Sequence, residues 1–147
     1  MMKTVLPWLE RPLRLAAAVA LSVVAFAFAA PRLASAAEGG DQARVIFSQK
    51  LPNVPGKTLT AVSVDYAPGG KSQPHYHAGV VLAYVVSGEI RSKVDEGPAQ
   101  VYHAGETFFE APGAHHLVSE NASSTKPAKL LAVFVADDGA DLTTFDH

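Results

Sequence analysis

The sequence predicts an all-β domain, a sandwich or small barrel of short antiparallel strands, behind an N-terminal leader. Short runs of β-branched and aromatic residues recur about every eight to twelve positions from residue 44 onward. Glycine or proline punctuates nearly every gap between them, as at Pro68-Gly69-Gly70, Gly88, Gly97-Pro98 and Pro112-Gly113. After the leader, no stretch repeats its apolar residues at helical spacing between capping residues.

The leader comes first. Residues 1–14 carry Lys3, Arg11 and Arg14 against the single Glu10, residues 15–30 are almost wholly apolar, and Ala34-Ser35-Ala36 has the small residues of a cleavage site. This is the layout of a secretory signal peptide, with an apolar run shorter than the roughly 20 residues a membrane span needs. Removal is expected after Ala36, placing residues 37–147 in the periplasm or outside the cell. That length holds one domain, with a core over about 44–136 and an acidic C-terminal tail over 137–147. Losing Lys3, Arg11, Arg14, Arg32 and Glu10 reduces the 12 basic and 14 acidic side chains of the chain to 8 and 13. A net charge of about −5 argues against nucleic acid or an anionic membrane surface as the partner. The chain has no cysteine, so a thiolate ligand, a thiol nucleophile and a disulfide are all excluded.

The strands follow in order. Residues 44–48 form the first, and the prolines of 51–56 make a turn or an edge crossing. Over 58–66, Thr60, Val62, Val64 and Tyr66 share one face. Residues 80–86 are rich in valine and too short for a buried helix, which predicts a core strand. In 90–94, Ile90, Ser92 and Val94 face one way and Arg91 and Lys93 the other. Residues 100–103, 107–110, 115–120 and 129–135 complete the set. Asn121-Ala122-Ser123 has the form of a glycosylation acceptor, but in this polar loop it reads as ordinary loop chemistry.

The chemistry centres on Gln73-Pro74-His75-Tyr76-His77. In an extended chain His75 and His77 point to the same side, about 7 Å apart along the strand, and two imidazoles so placed can grip one metal ion. A second glycine-bounded segment, 105–116, ends in Ala111-Pro112-Gly113-Ala114-His115-His116. His115 and His116 must face opposite sides of a regular strand, so at most one of them enters a shared site. His103 beside a turn and His147 in the acidic tail read as surface residues.

Gly69, His75, His77 and Gly88, followed by Gly105, Gly113 and His116, resemble the two sequence motifs of the cupin superfamily. The resemblance covers about 68–121 and implies a double-stranded β-helix, or jelly-roll, barrel. It implies metal ligation by His75, His77 and His116, and it departs from the pattern at three places. Val81 stands where the first motif has a glutamate ligand, Ala111 where the second has a proline, and Glu120 where an asparagine is usual, with Asn121 one position later.

Only the first departure touches a ligand. Glu110, just ahead of the Pro112-Gly113 turn, falls where such barrels have a residue lining the interior. A buried carboxylate needs a cation or a hydrogen-bond partner, so Glu110 is the expected replacement for the missing glutamate. If it is not a ligand, it is expected as the general base; on an outward face it would simply be solvated. Gln73 shares parity with the histidine pair and is a weaker pocket candidate, able to bond a ligand ring or a bound molecule unless it sits in water at the turn. Phe108 shares parity with Glu110 and is expected to wall the cavity. Tyr76 and Tyr84 alternate away from it.

Three imidazoles and a carboxylate suit one divalent ion of iron, manganese, zinc, nickel or copper. The first expectation is a metal-dependent oxidoreductase, of oxygenase type, or a related lyase acting on a small organic molecule. The alternatives are a non-enzymatic protein that binds a metal or small ligand, and a barrel in which Val81 marks the decay of the site. A homodimer is expected, because an open sheet offers edge strands such as 44–48 to a second copy.

Overall fold

The computed structural model describes residues 41–146. The expected leader and His147 lie outside the described residues. Ten strands follow one another: β1 (Asp41–Lys50), β2 (Lys57–Tyr66), β3 (His75–His77), β4 (Val80–Ser87), β5 (Glu89–Val94), β6 (Gln100–His103), β7 (Thr107–Glu110), β8 (His115–Asn121), β9 (Ala128–Asp137) and β10 (Thr143–Phe145). They form two antiparallel five-stranded sheets, ordered β1-β2-β9-β4-β7 and β10-β3-β8-β5-β6. Among the described residues there is no helix. This is the expected all-β, double-stranded β-helix architecture.

Alternation decides which side chains meet between the sheets. On β2 the inward residues include Thr60, Val64 and Tyr66, and on β9 Ala128, Leu130, Ala132, Phe134 and Ala136. Val64, Tyr66, Ala83, Val85, Ile90, Phe108, Ala128 and Leu130 pack as one cluster, and Val81, Ala132 and Phe134 as a second. Each buried aliphatic or aromatic side chain contributes about 1.5–3 kcal/mol, so β4, β5 and β9 supply much of the cohesion. Gly88, between β4 and β5, has φ +75°, and a Cβ there would lie 2.7 Å from the Pro127 carbonyl oxygen. Only glycine combines that turn with that approach.

Polar groups inside the barrel find one another. The Tyr66 hydroxyl lies 2.8 Å from Ser119 Oγ and 3.1 Å from Ser72 Oγ, and Ser72 donates onward to the Asp41 carboxylate. Burial, offset in part by the Ser119 and Ser72 hydrogen bonds, pushes the Tyr66 phenol up to about 12. Asn121 is buried, its amide donating to the Ala67 and Lys126 carbonyls while its side-chain oxygen accepts from Ser123 N–H. It ties down the loop, as the reading of Asn121-Ala122-Ser123 as loop chemistry anticipates.

The structure departs from the expectations in three places. The first strand runs over Asp41–Lys50 rather than 44–48, because its ladder with β2 extends from Asp41↔Tyr66 to Lys50↔Thr58. Strand β4 is buried on one face only, with Leu82, Tyr84 and Val86 exposed; its valine-rich run reflects strand propensity as much as burial. The stretch after Asp137, read as a tail, contains β10, which pairs with β3 through Thr143↔His77, Thr144↔Tyr76 and Phe145↔His75.

Candidate metal centre

Strand β3 is short, but both of its neighbours aim at the same place. His75 and His77 are buried while Tyr76 between them is exposed, the period-two pattern of an extended chain. Across the β3–β8 ladder His75 is the register partner of His116, and Tyr76 of His115. His116 therefore enters the interior, while His115 turns outward to stack on Tyr76 with ring centroids 4.2 Å apart. The turn before β8 is tied to β3 by the Gly113 N–H, which donates to the His77 carbonyl at 2.8 Å.

The structure brings His75, His77 and His116 together, each offering a ring nitrogen within 4.8 Å of the others. Glu110 joins them from the opposite sheet. Only 2% exposed, it places Oε2 3.2 Å from His116 Nδ1 and 3.7 Å from His77 Nε2. Neither approach has hydrogen-bond geometry, and Oε2 has no hydrogen-bond partner. Burial works to raise the Glu110 carboxyl, but His116, His77 and His75 around it outweigh burial and hold it below its ordinary value. The carboxyl group is thus buried, with its Oε2 unsatisfied.

The histidine tautomers sharpen this picture. His75 Nδ1 lies 2.6 Å from the Gln73 carbonyl, and His77 Nδ1 lies 3.0 Å from the Leu142 carbonyl. A carbonyl can only accept, so each Nδ1 carries the proton and each Nε2 presents a lone pair. Those two Nε2 atoms are 3.2 Å apart. Burial lowers the His75 pKa to about 4 and also lowers that of His77, so near neutral pH neither ring carries a second proton to place between them. Two lone pairs and a carboxylate oxygen converge with no donor among them. The three imidazoles could hold a metal ion, and Glu110 Oε2 lies beside two of them.

The surroundings are aromatic. Phe134 meets His77 edge to face at 5.0 Å, Phe145 meets His75 at 5.7 Å and Phe108 meets His116 at 5.8 Å. Phe108 is buried beside the His116 ring. Gln73, expected to offer its side chain, has that side chain exposed, and its main-chain carbonyl contacts His75 instead. Proline at position 74 and the entry into β3 turn the amide toward solvent. His103 is on the surface near Glu89.

Three contributors escaped the sequence reading. Ser92 Oγ lies 2.8 Å from His116 Nε2, which leaves His116 Nδ1 facing Glu110. Its inward parity on β5 was legible, but nothing in the motifs points to it. Leu142 and Phe145 reach the site only because β10 docks on β3.

A model of the cupin domain matches residues 62–134. The chain belongs to the cupin superfamily. It is 29% identical over 91 residues to germin-like protein subfamily 2 member 2 of Arabidopsis thaliana, covering 58% of this chain and 41% of that protein. The chain thus spans well under half the length of this relative. Among solved structures it is similar to a double-stranded β-helix protein from Klebsiella pneumoniae, with TM-score 0.59 and 21% identity, covering 77% of this chain and 90% of that one. An RmlC-like cupin from Shewanella frigidimarina gives TM-score 0.53 at 26% identity, covering 69% and 80%. Oxalate oxidase in complex with glycolate gives 0.58 at 23% identity, covering 74% and 56%.

Proposed function

We propose that this cupin binds one divalent metal ion through His75, His77, His116 and Glu110 and uses it on a small organic molecule, as an oxygenase-type oxidoreductase or related lyase. One observation carries the reading: the Nε2 lone pairs of His75 and His77 and the unsatisfied Oε2 of Glu110 converge with no donor between them. The small-molecule class is supported by structural neighbours described as oxalate oxidase and dimethylsulfoniopropionate (DMSP) lyase.

When bound, the ion supplies Lewis-acid or one-electron chemistry to a substrate oxygen. The chain's own residues do the rest. The Gln73 and Leu142 carbonyls hold the Nδ1 protons of His75 and His77 and so aim both rings. Phe108 and Phe134, both buried, wall the rings of His116 and His77. Glu110 would neutralise part of the ion's charge or, if it is not a ligand, accept a proton at Oε2 as general base.

The test strips the purified chain with a chelator, reloads it separately with iron, manganese, zinc, nickel and copper, and measures metal content and oxygen uptake across a panel of small organic acids. One ion per chain with turnover supports the enzyme. One ion per chain without turnover makes the protein a metal or small-ligand binder. No uptake of any ion sinks the metal reading.

Two further parts of the reading concern the whole protein. Cleavage after Ala36 would release the domain into the periplasm or the medium, and amino-terminal sequencing of the exported chain tests it. The partner is a second copy, joined along β1, which lies at the edge of its sheet and exposes Val45, Ile46 and Phe47. Sedimentation of wild type against Ile46→Lys tests the pairing, a monomer in both cases counting against it.

A further inference from the structure

We infer that the C-terminal strand β10 is the positioning element for His77, holding that ring in one tautomer with Nε2 turned inward. The inference rests on the metal-centre reading and adds to it a segment outside both histidine motifs.

The two rings of β3 are held in different ways. The carbonyl that orients His75 belongs to Gln73, two residues away on the same stretch of chain. The carbonyl that orients His77 belongs to Leu142, 65 residues further along the sequence, and Thr143 Oγ1 lies 3.2 Å from the same Nδ1. His75 therefore keeps its partner whenever β3 is formed, whereas His77 keeps its partner only while β10 is docked.

That docking is slight and specific. Strand β10 has three residues and lies at the edge of its sheet, paired on one side only. Its ends are fixed by Ala78 N–H donating to the Leu142 carbonyl at 3.4 Å and Asp146 N–H donating to the Pro74 carbonyl at 3.1 Å. On the outer surface His115 Nε2 lies 2.9 Å from Asp146 Oδ2, and the same imidazole stacks on Tyr76. This clasp joins β8, β3 and β10. On the inner side Phe145 packs against His75. A short edge strand of this kind opens locally at far less cost than the core. Each opening would remove the acceptor of His77 while leaving that of His75.

This asymmetry is the test. Antiparallel hydrogen bonding alternates, so the bonds at Ala78–Leu142 and Pro74–Asp146 place a third at Tyr76–Thr144, with the Thr144 N–H as donor. The Thr144 side chain is exposed. Thr144→Pro deletes this bond in the full chain, Thr144→Ala is the control, and Asp146→Asn weakens the outer clasp without altering the backbone. Imidazole ¹⁵N shifts of the metal-free proteins report the tautomers directly. In wild type and Thr144→Ala, His75 and His77 are both expected to be protonated at Nδ1. In Thr144→Pro, and partly in Asp146→Asn, His77 relaxes to a mixture while His75 does not change. Cobalt titration of the same samples is expected to show affinity about 10–100-fold weaker in Thr144→Pro, with an altered ligand-field spectrum. The inference is overturned if His77 keeps its Nδ1 proton in Thr144→Pro, or if His75 and His77 change together in Asp146→Asn. If the tautomers behave as expected but wild type takes up no cobalt, the positioning role stands and the metal reading fails.

Discussion

Val81 and Glu110 are register partners across the β4–β7 ladder, both buried. The valine that occupies the glutamate position of the first cupin motif and the glutamate that the second motif does not call for thus sit side by side at one height of the barrel. Glu110 thus lies one strand sideways of the motif position, with Oε2 3.2 Å from His116 Nδ1 and 3.7 Å from His77 Nε2.

The exchange should therefore be reversible. Glu110→Ala is expected to lower metal affinity by roughly 100-fold or more, at least matching the loss of an outer-shell partner. The double variant Val81→Glu with Glu110→Val, which conserves the summed volume of the pair, should recover most of it. Isothermal titration with zinc measures both. Unchanged affinity in Glu110→Ala would remove Glu110 from the ligand set and leave it the role of base.

Metal binding should also appear as stability. A cation held only by the folded chain adds about 2.7 kcal/mol at a free concentration 100 times its Kd. Calorimetry with excess zinc and then with chelator should show a higher Tm in the first case. His116→Ala should abolish the difference, and its persistence would mean that the ion binds elsewhere.

The Tyr66 phenol gives the fold an alkaline limit. Its value in the folded chain is raised from 10.0 to about 12, chiefly by burial. An unfolded chain releases this proton first, so the contribution is fully present below pH 10 and is lost as pH rises toward 12. The two-unit gap corresponds to about 2.7 kcal/mol. Urea midpoints measured from pH 8 to 12 should fall steeply above 10. Tyr66→Phe should flatten that fall while costing about 1 kcal/mol at pH 7 by leaving Ser119 without its partner.

Two glycines separate backbone strain from crowding. Gly113 has φ +74° with nothing near the place of a Cβ, whereas Gly88 has φ +75° and the Pro127 oxygen at 2.7 Å. Gly113→Ala should cost about 1–2 kcal/mol from its left-handed backbone alone. Gly88→Ala should cost about 1–3 kcal/mol more from the forced shift of β9. Equal losses in chemical denaturation would contradict this account.

What the sequence disclosed and what it hid have a common explanation. His75 and His77 were legible as a pair because strand parity is local: a residue two places away faces the same side whatever the rest of the chain does. Glu110, with Phe108 at its parity, was placed inside the barrel by the motif resemblance. His116 needed the motif resemblance, since parity alone did not choose between it and His115. Strand β10 was hidden because three residues, Thr143–Phe145, are too few to carry periodicity, and its pairing with β3 is set by the other end of the domain. Gln73 misled because its parity was right but the functional atom lies in the main chain. The exposed Leu82 and Val86 misled because a valine-rich strand looks the same whether or not its second face is covered.

The candidate ligands come from both layers of the barrel: the three imidazoles project from β3 and β8, and Glu110 projects from β7 in the facing sheet. An ion held by all four would act as a rivet through the wall of the sandwich, coupling two sheets that otherwise meet mainly through apolar contact. Pulled or heated, the loaded protein would resist the slide of one layer over the other, and prising the layers apart would eject the ion.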